Sequence, residues 1–493
     1  MRRFLVQVVG VLTAQGVLGY GEVANDRLPE RLNLQQAISL ALAKNFDIQL
    51  EQQEHLIAKE QVRNAKSKYD PTLSSSYEEG ESDIVGSDNR PSDRSRSESA
   101  SVSVGGLLSP GTTYSLSVSS NINTFESDDF IGDFSSFSGL SITQPLLKDF
   151  GTGANNFSIK VARKNFEISD WAFKQQIINT ISNAIDTYYA LYFAEKNLEV
   201  AVETRAITQQ LVDNNRKRVE VGRMAPSDVV LAEAILARRD VNILLAERAL
   251  RNQQNRFKAI ISDNIEPLLN WNIRTEPLQD PSYREIDVAS DYEIALTHRP
   301  DFHQIQIDRD IREMTARRNR NQRLPELDLV TSYGYASRDD GFSSSLKALN
   351  DGRNEAYTIG AVFRYPLGNK SAKAQLQIAK SRLLQSEINI ERFKQDILLQ
   401  LDGAAYGVQK SWERIQAAMN SSSLAEQSLT ADRRRLETGV GNTRFVINRQ
   451  TELASAQVSV FRAITDYYRD LTDYDRLLGI TLEKYNISVP RLN

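Results

Sequence analysis

The 493-residue sequence contains no cysteine and only three histidines. The absence of cysteine excludes disulfide frameworks, thiolate metal sites, a cysteine nucleophile and a lipid anchor on an N-terminal cysteine. His298 and His303 are five residues apart, which does not place two metal ligands on one helical face as a spacing of four would. Walker, G-x-S-x-G and strand-linked G-x-G-x-x-G motifs are also missing. We therefore expect no enzyme, no catalytic residue, no metal and no cofactor.

An excess of positive charge is missing as well, since the formal net charge is -4. Nucleic-acid binders need a basic face, so this balance argues against a nucleic-acid partner. Beyond residue 24 no stretch approaches the roughly 18 apolar residues that a membrane-spanning helix needs. If the chain spans a membrane, it must therefore do so as a β-barrel.

The first residues resemble an export signal. Arg2 and Arg3 precede an apolar stretch that ends in small residues near Ala24. We expect residues 1–24 to be a signal peptide, although an amphipathic start of the mature chain would have a similar pattern.

The chain repeats one pattern twice. ALAKNFD at 41–47 corresponds to ALTHRPD at 295–301, and Pro145-Leu146 corresponds to Pro366-Leu367. Segments 219–236 and 436–453 align so that Gly222 pairs with Gly439. The corresponding segments are more than 200 residues apart, which is too long for the repeat of a solenoid. The pattern therefore indicates one fold built from two related halves.

The predicted organisation follows from this duplication. We expect a first repeat at 25–265, a connection at 266–290, a second repeat at 291–480 and a C-terminal tail at 481–493. Each repeat contains strands, a long helix, a turn and a last helix. In the first repeat the strands lie within 71–147, the long helix at 155–218, the turn at 219–227 and the last helix at 228–262. In the second repeat the strands lie at 325–336 and 356–367, the long helix at 370–437, the turn at 438–445 and the last helix at 446–479.

The long helices carry apolar residues at steps of three and four, as in Ile178, Ile181, Ile185, Tyr188 and Tyr192. A second such series is Leu401, Ala405, Val408, Trp412, Ile415 and Met419. This spacing favours coiled-coil packing. A helix of about 60 residues is about 90 Å long, which exceeds any ordinary globular core. A coiled-coil dimer without a pore would explain the helices alone.

The strand regions alternate between apolar and small polar residues, as in LDLVTSYGY at 327–335. This alternation is typical of a membrane barrel and also of a soluble sandwich. The connections at 82–98, 123–136 and 337–356 are long and polar, whereas 107–113 is short. Long loops on one side and short turns on the other favour the barrel.

The order of these helices, strands and turns, from about Leu32 to Ile480, resembles that of the TolC-like outer-membrane factor (outer membrane efflux protein) family. LNLQQAISLALAKNFDI is similar to the opening helix of the family, and RVEVGRMAPSDVV and RLETGVGNTRFVI are similar to its two helix–turn–helix tips. The resemblance implies an α+β membrane protein, a homotrimer whose outer-membrane β-barrel continues into a long periplasmic α-helical coiled-coil barrel. It also implies that 266–290 forms part of an equatorial collar with the opening helices.

The resemblance further implies an exit duct of a tripartite efflux or type I secretion system. The protein would lie in outer-membrane lipid and conduct solutes or polypeptides passively, while its partners select the cargo. Those partners would be a periplasmic adaptor and an inner-membrane pump or ABC transporter. The expected adaptor-docking tips are Gly222, Arg223, Pro226, Asp228, Gly439, Val440, Gly441, Asn442 and Thr443. A non-conducting periplasmic coiled-coil scaffold or adaptor is the alternative.

Two features depart from the family pattern. The first half offers four candidate strands where the family has two, so a hairpin at 98–123 either joins the barrel or lies outside it. The periplasmic aperture, which is often acidic in the family, is expected here at Arg444, Phe445, Asn448 and Arg449. If the two arginines face the lumen, a trimer would have a positive ring there.

Overall fold

The computed structural model describes residues 31–84, 93–125, 134–352 and 354–488. These residues form two compact units. The helical unit comprises the described residues up to Gln53, Asp170–His303 and the described residues from Glu391 onward. The sheet unit comprises the described residues of Glu54–Ser169 and Gln304–Ile390. The expected signal peptide lies outside the described residues.

Helices account for most of the described chain. They are α1 Leu34–Lys44, α2 Phe46–Lys66, α3 Thr152–Asn155, α4 Phe157–Glu220, α5 Pro226–Ile261, α6 Val288–His298, α7 Pro300–Asn321, α8 Phe342–Asn350, α9 Lys370–Glu437, α10 Thr443–Leu478 and α11 Thr481–Lys484. The strands are β1 Arg31–Leu32, β2 Thr72–Ile84, β3 Asp93–Leu107, β4 Thr113–Phe125, β5 Phe134–Pro145, β6 Arg274–Thr275, β7 Glu326–Asp339 and β8 Glu355–Arg364.

The two longest helices, α4 and α9, contain 64 and 68 residues. The helices that follow them begin slightly earlier than the sequence predicted, at Pro226 and Thr443. Proline is favoured in the first helical turn, and the Asn442 side chain caps α10, so both residues promote these earlier starts. Among the described residues, no helix is both long enough and apolar enough to cross a membrane.

The predicted apolar series on α4 is buried in the helical unit. Ile178, Ile181, Ile185 and Tyr188 are almost fully enclosed. Most of this series joins a core cluster with residues of α1 and α5, including Ala37, Ile38, Ala41, Leu42, Phe257 and Ile261. The phenol hydroxyl of Tyr188 donates to the Leu32 carbonyl oxygen at 3.0 Å. Because each partner helix is itself amphipathic, packing along this seam removes apolar surface from water on several helices at once.

On α9 several buried apolar residues are seven residues, or a multiple of seven, apart. Leu401, Val408, Ile415, Leu429 and Leu436 are all buried. Met419 was expected to continue the series but is 40% exposed. Residues seven positions apart lie on nearly the same face of a helix, so the part of α9 from Leu401 to Leu436 keeps one face toward its neighbours, as coiled coils do.

The sheet unit contains one antiparallel sheet with the order β2-β3-β4-β5-β7-β8. Strands β5 and β7 pair from Phe134–Asp339 to Pro145–Asp328, which joins strands that are far apart in sequence. The hairpin at 98–123 corresponds to β3 and β4, in the interior of the sheet order. The sequence left open whether this hairpin joins the other strands. In the structure it is an integral part of the sheet.

The register aligns one apolar residue on every strand. The row is Leu73, Val104, Leu116, Leu140, Tyr333 and Tyr357. The adjacent row, which points to the opposite side, is Ser74, Ser103, Ser117, Gly139, Gly334 and Ala356. Successive residues of a strand face opposite sides, so the sheet has an apolar face and a small-residue face.

Parts of the expected loops are ordered structure. Strands β2 and β3 extend into the polar region 82–98, where Arg96 bonds Glu79 at 2.7 Å and Glu98 at 3.0 Å. Opposite charges on paired strands explain why a polar sequence is a strand here. The expected loop 337–356 contains α8, and the Ser345 hydroxyl of this helix donates to the Phe134 carbonyl oxygen at 3.0 Å.

Gly139 and Gly334 face each other across β5 and β7 and allow close approach of the two strands. A Cβ at Gly334 would lie 2.2 Å from the Ser138 carbonyl oxygen. We expect Gly334→Ala to cost about 3 kcal/mol or to prevent sheet formation. Gly360→Ala is the control, since no atom lies within 4 Å of its Cβ position. Far-ultraviolet circular dichroism after refolding in detergent measures the effect, and equal behaviour of the two variants would contradict this packing.

Candidate functional site: the two helix-reversal turns

The first turn joins α4 to α5. The Gly222 amide donates to the Val219 carbonyl at 2.9 Å, and the Arg223 amide donates to the Arg218 carbonyl at 2.8 Å. This pair of bonds is a Schellman motif, in which the residue after the helix adopts a left-handed conformation. Gly222 has φ +70°, a left-handed conformation that glycine adopts without strain.

The second turn joins α9 to α10 with the same geometry. The Gly439 amide donates to the Leu436 carbonyl at 3.3 Å, and the Val440 amide donates to the Arg435 carbonyl at 3.0 Å. Gly439 has φ +82°. The two turns therefore end their long helices in the same way, at the two glycines that the sequence alignment paired.

Gly441 is constrained by sterics instead of by its backbone angles. A Cβ at this position would lie 2.5 Å from the Leu436 nitrogen and 2.8 Å from the Arg435 carbonyl carbon. No atom lies within 4 Å of the Cβ positions of Gly222 and Gly439. The sequence identified Gly441 as a tip residue but gave no reason for a glycine there. The reason is that the chain folds back against the last turn of α9.

The first residues of α5 and α10 include helix-start signals. Pro226 occupies the first turn of α5, and Asp228 places a negative charge near the helix N-terminus, which the helix dipole favours. The Asn442 side chain accepts the Arg444 amide at 2.8 Å and so caps α10. These three residues were expected at the tips, and the structure gives each a role in starting a helix.

The two turns pack against each other. Met224 lies against a cluster that includes Leu436 and Val446. Thr443, which was expected to dock an adaptor, is only 1% exposed and lies 3.4 Å from the Asn215 amide nitrogen. It is not available at the surface of this chain, because residues of the first turn and of α4 cover the start of α10.

Arg218 links the two helix-reversal turns, and the sequence did not predict this role. Its guanidinium Nη1 donates to the Leu436 carbonyl oxygen at 2.8 Å. Leu436 belongs to the last turn of α9, where carbonyl groups lack helical partners, so an arginine donor is favourable there. No local signal could have found this contact, because the two residues are 218 positions apart in the chain.

The exposed part of the turns is apolar and basic. Val221, Val440 and Phe445 are 67%, 85% and 59% exposed, and Arg223 and Arg444 are also exposed. We call Val221, Val440 and Phe445 the tip surface. Large apolar side chains grouped at one exposed end are typical of an interaction site.

The two aperture arginines differ in their surroundings. Arg444 and Asn448 are exposed, whereas Arg449 bonds Asp432 at 3.2 Å and Glu452 at 2.5 Å. The hydrogen bonds to these carboxylates raise the pKa of the Arg449 guanidinium above its usual value. Its positive charge is therefore balanced within the chain, whereas Arg444 is exposed.

The two histidines near α6 each have local partners. His298 lies 2.9 Å from the Ile294 carbonyl oxygen through Nδ1 and 3.3 Å from Glu483 through Nε2. The His303 ring stacks on Trp171 with centroids 4.0 Å apart, and its Nε2 lies 2.9 Å from the Thr297 carbonyl oxygen. Both rings therefore contribute to local packing and hydrogen bonding.

Comparisons with known proteins identify the family. The chain matches the outer membrane efflux protein family over residues 37–262 and 292–479. Among solved structures, it is similar to the outer-membrane channel OprN, with 16% identity over 90% of this chain and 89% of that one and a TM-score of 0.69. CmeC of Campylobacter jejuni is 17% identical over 94% and 90%, with a TM-score of 0.67. VceC of Vibrio cholerae is 17% identical over 90% and 96%, with a TM-score of 0.65.

None of the curated proteins matches this chain. Because the family match covers most of the residues, the chain belongs to the outer membrane efflux protein family. Proteins of this family are TolC-like outer-membrane proteins with a helical domain in the periplasm, and the structure has the long helices and the antiparallel sheet of that fold. The predicted family and location are confirmed.

The turn geometry generates a test of the glycines. We expect Gly441→Ala to destabilise the second turn by about 2 kcal/mol, because the backbone atoms that it meets cannot move aside easily. Gly439→Ala should cost only about 1 kcal/mol, for the left-handed conformation. Trypsin cleavage near Arg435, at the end of α9, measures local opening.

Gly407→Ala is the control, since Gly407 lies within α9 and its Cβ position is open. Alanine is a better helix former than glycine, so cleavage of this variant should not increase. A Gly441→Ala protein as resistant as Gly407→Ala would contradict the steric role of Gly441.

Proposed function

We propose that the protein is the exit duct of a tripartite efflux or type I secretion system, assembled as a homotrimer. The observation that supports this most strongly is the sheet itself. It has an apolar face, a small-residue face and two outer strands, β2 and β8, at the ends of its order. Three such sheets, joined edge to edge, form one barrel of 18 strands (three times six).

The strand directions are compatible with this closure. Every neighbouring pair in the sheet is antiparallel, and the number of strands is even. Strand β8 therefore runs opposite to β2, so that β8 of one copy can continue the antiparallel pattern with β2 of the next. Within lipid the edges must be paired, because an unpaired backbone group there costs several kcal/mol.

The two faces fit a water-filled barrel. The apolar row from Leu73 to Tyr357 faces the hydrocarbon, and the serine- and glycine-rich row faces the lumen. Small side chains leave the lumen open for passage. This arrangement argues against the scaffold alternative, because a protein that stays in the periplasm gains nothing from a continuous exposed apolar row.

We also infer that the two halves are structural repeats, since the family matches two segments and the turns at Gly222 and Gly439 have the same motif. In the trimer the long helices form the periplasmic duct, and the connection at 266–290 with the opening helices surrounds it. The tip surface docks a periplasmic adaptor, which joins the duct to an inner-membrane pump or ABC transporter. The similar structures OprN and CmeC are described as outer-membrane channels.

Two neighbouring residues test the assignment of the faces. Leu140→Arg places a charge on the lipid side and should cost about 2–4 kcal/mol near the middle of the bilayer, so membrane insertion should fail. Ser141→Arg points to the lumen and should insert normally. In planar bilayers, this variant should shift the reversal potential toward anions relative to the wild-type protein.

A conducting Leu140→Arg protein, or a Ser141→Arg protein whose ion selectivity is unchanged, would contradict the proposed faces. Wild-type protein that gives no conductance steps would favour the scaffold.

A second pair tests docking at the tip surface. Val440→Asp should reduce co-purification of the adaptor from cross-linked membranes at least tenfold, because it places a charge in an apolar contact. Trimer formation should not change, since Val440 is 85% exposed. Val241→Asp is the control, since Val241 is a valine on α5 that is 53% exposed and lies outside the tip surface. Equal adaptor recovery from both variants would remove the tip surface from the docking model.

A further inference from the structure

A cavity of about 610 Å³ lies between α4, α5 and α10 in the helical unit. Its lining combines apolar side chains with hydrogen-bonding groups and two arginines, Arg239 and Arg462. The lining residues that the structure describes include no aspartate or glutamate. The chain as a whole has more acidic than basic residues, whereas both charged groups that line this cavity are positive.

Arg239 is the central feature of the cavity. It is 8% exposed, and its Nη2 donates to the Thr451 hydroxyl oxygen at 2.6 Å. The Thr451 hydroxyl donates in turn to the Ile447 carbonyl at 2.9 Å, which leaves its lone pair for the guanidinium. Within the described part of the chain, the buried Arg239 Nε has no hydrogen-bond partner.

The charges near Arg239 do not neutralise it. The adjacent carboxylate, Asp240, bonds Arg205 at 2.8 Å on the exposed surface. Burial lowers the pKa of the Arg239 guanidinium, and the neighbouring Arg238 lowers it further. A guanidinium stays charged in proteins, so the charge must be compensated in another way.

An uncompensated buried charge is costly. Removing an ion from water is unfavourable unless a counter-charge and hydrogen bonds replace the water, and a buried donor without a partner adds to this cost. Thr451 supplies one neutral acceptor. The Arg239 side chain lines the cavity, which has room for a compensating anion.

We propose that this cavity is a binding site for an organic anion, a carboxylate carried on an apolar body. The carboxylate pairs with the Arg239 guanidinium from inside the cavity, and the exposed Arg462 adds positive charge at the mouth. The apolar body lies against Val200, Leu245, Ala246 and Val458, which also line the cavity. The volume is in the range of small-molecule sites and far exceeds that of a single inorganic ion.

Calorimetric titration of the detergent-purified full chain with benzoate tests the proposal. Benzyl alcohol, which has the same ring without the charge, is the ligand control. We expect benzoate to bind at least tenfold more tightly than benzyl alcohol. Equal affinities, or no benzoate binding, would overturn the proposal, and tighter binding of inorganic phosphate than of benzoate would overturn the organic class of the ligand.

The variants separate a ligand role from a structural one. Arg239→Met keeps the length of the stem, removes the charge, and should weaken benzoate binding at least tenfold. Its thermal midpoint without ligand should equal or exceed that of the wild-type protein, because an unpaired buried charge has been removed. Arg238→Gln changes the exposed arginine next to it and should bind benzoate within twofold of wild type.

A carboxylate of a second copy could instead pair with Arg239 in the trimer. Arg239→Met would then lower the thermal midpoint and benzoate would not bind, and this result would overturn the proposal. If Arg239→Met does not fold, Arg462→Gln at the exposed mouth should still weaken binding several-fold. A crystal soaked in 4-bromobenzoate gives a direct readout, with bromine anomalous density expected in the cavity and its absence contradicting the site.

Discussion

The backbone groups at the outer edges of β2 and β8 are the constraint on which the rest of the account depends. An exposed sheet edge presents a row of unpaired donors and acceptors, and lipid offers no water to satisfy them. The apolar row that crosses all six strands makes lipid the natural surroundings of this sheet. Closure with the edges of other copies satisfies both requirements, and the even number of strands keeps the antiparallel order around the ring.

The helical unit depends on a different regularity. Buried residues at multiples of seven positions keep one face of α9 against its neighbours from Leu401 to Leu436. Helices of this length must reverse direction, and the turns do so with a left-handed glycine each. At the second turn, Gly441 also lets the chain pass against the helix end, and Arg218 of the first turn satisfies a carbonyl of the second. The tip surface is thus held by contacts within one chain.

Much of this could be predicted from the sequence, because the signals were local and periodic. The seam on α4, the bounds of α9, the alternation of β7 and the positive φ of Gly222 and Gly439 all follow from spacing or from residue type. The burial of Thr443, the pairing of Arg449 with Asp432 and the charge of Arg239 in a cavity depend on contacts between distant segments. The polar ends of β2 and β3 were misread as loop, because the ion pair between Arg96 and Glu79 forms only when the two strands are paired.

The most direct test of edge closure uses the absence of cysteine from the chain. One cysteine is placed on the small-residue face of β2, at Ser74 or Ser76, and another on β8, at Thr358 or Gly360. Oxidation in the outer membrane should give a covalent trimer for at least one pair. Ser115→Cys with Ser141→Cys, which are in register on β4 and β5, should form a disulfide within one chain. If this control pair oxidises and every β2–β8 pair remains a single chain, the barrel does not close between copies and the account is wrong.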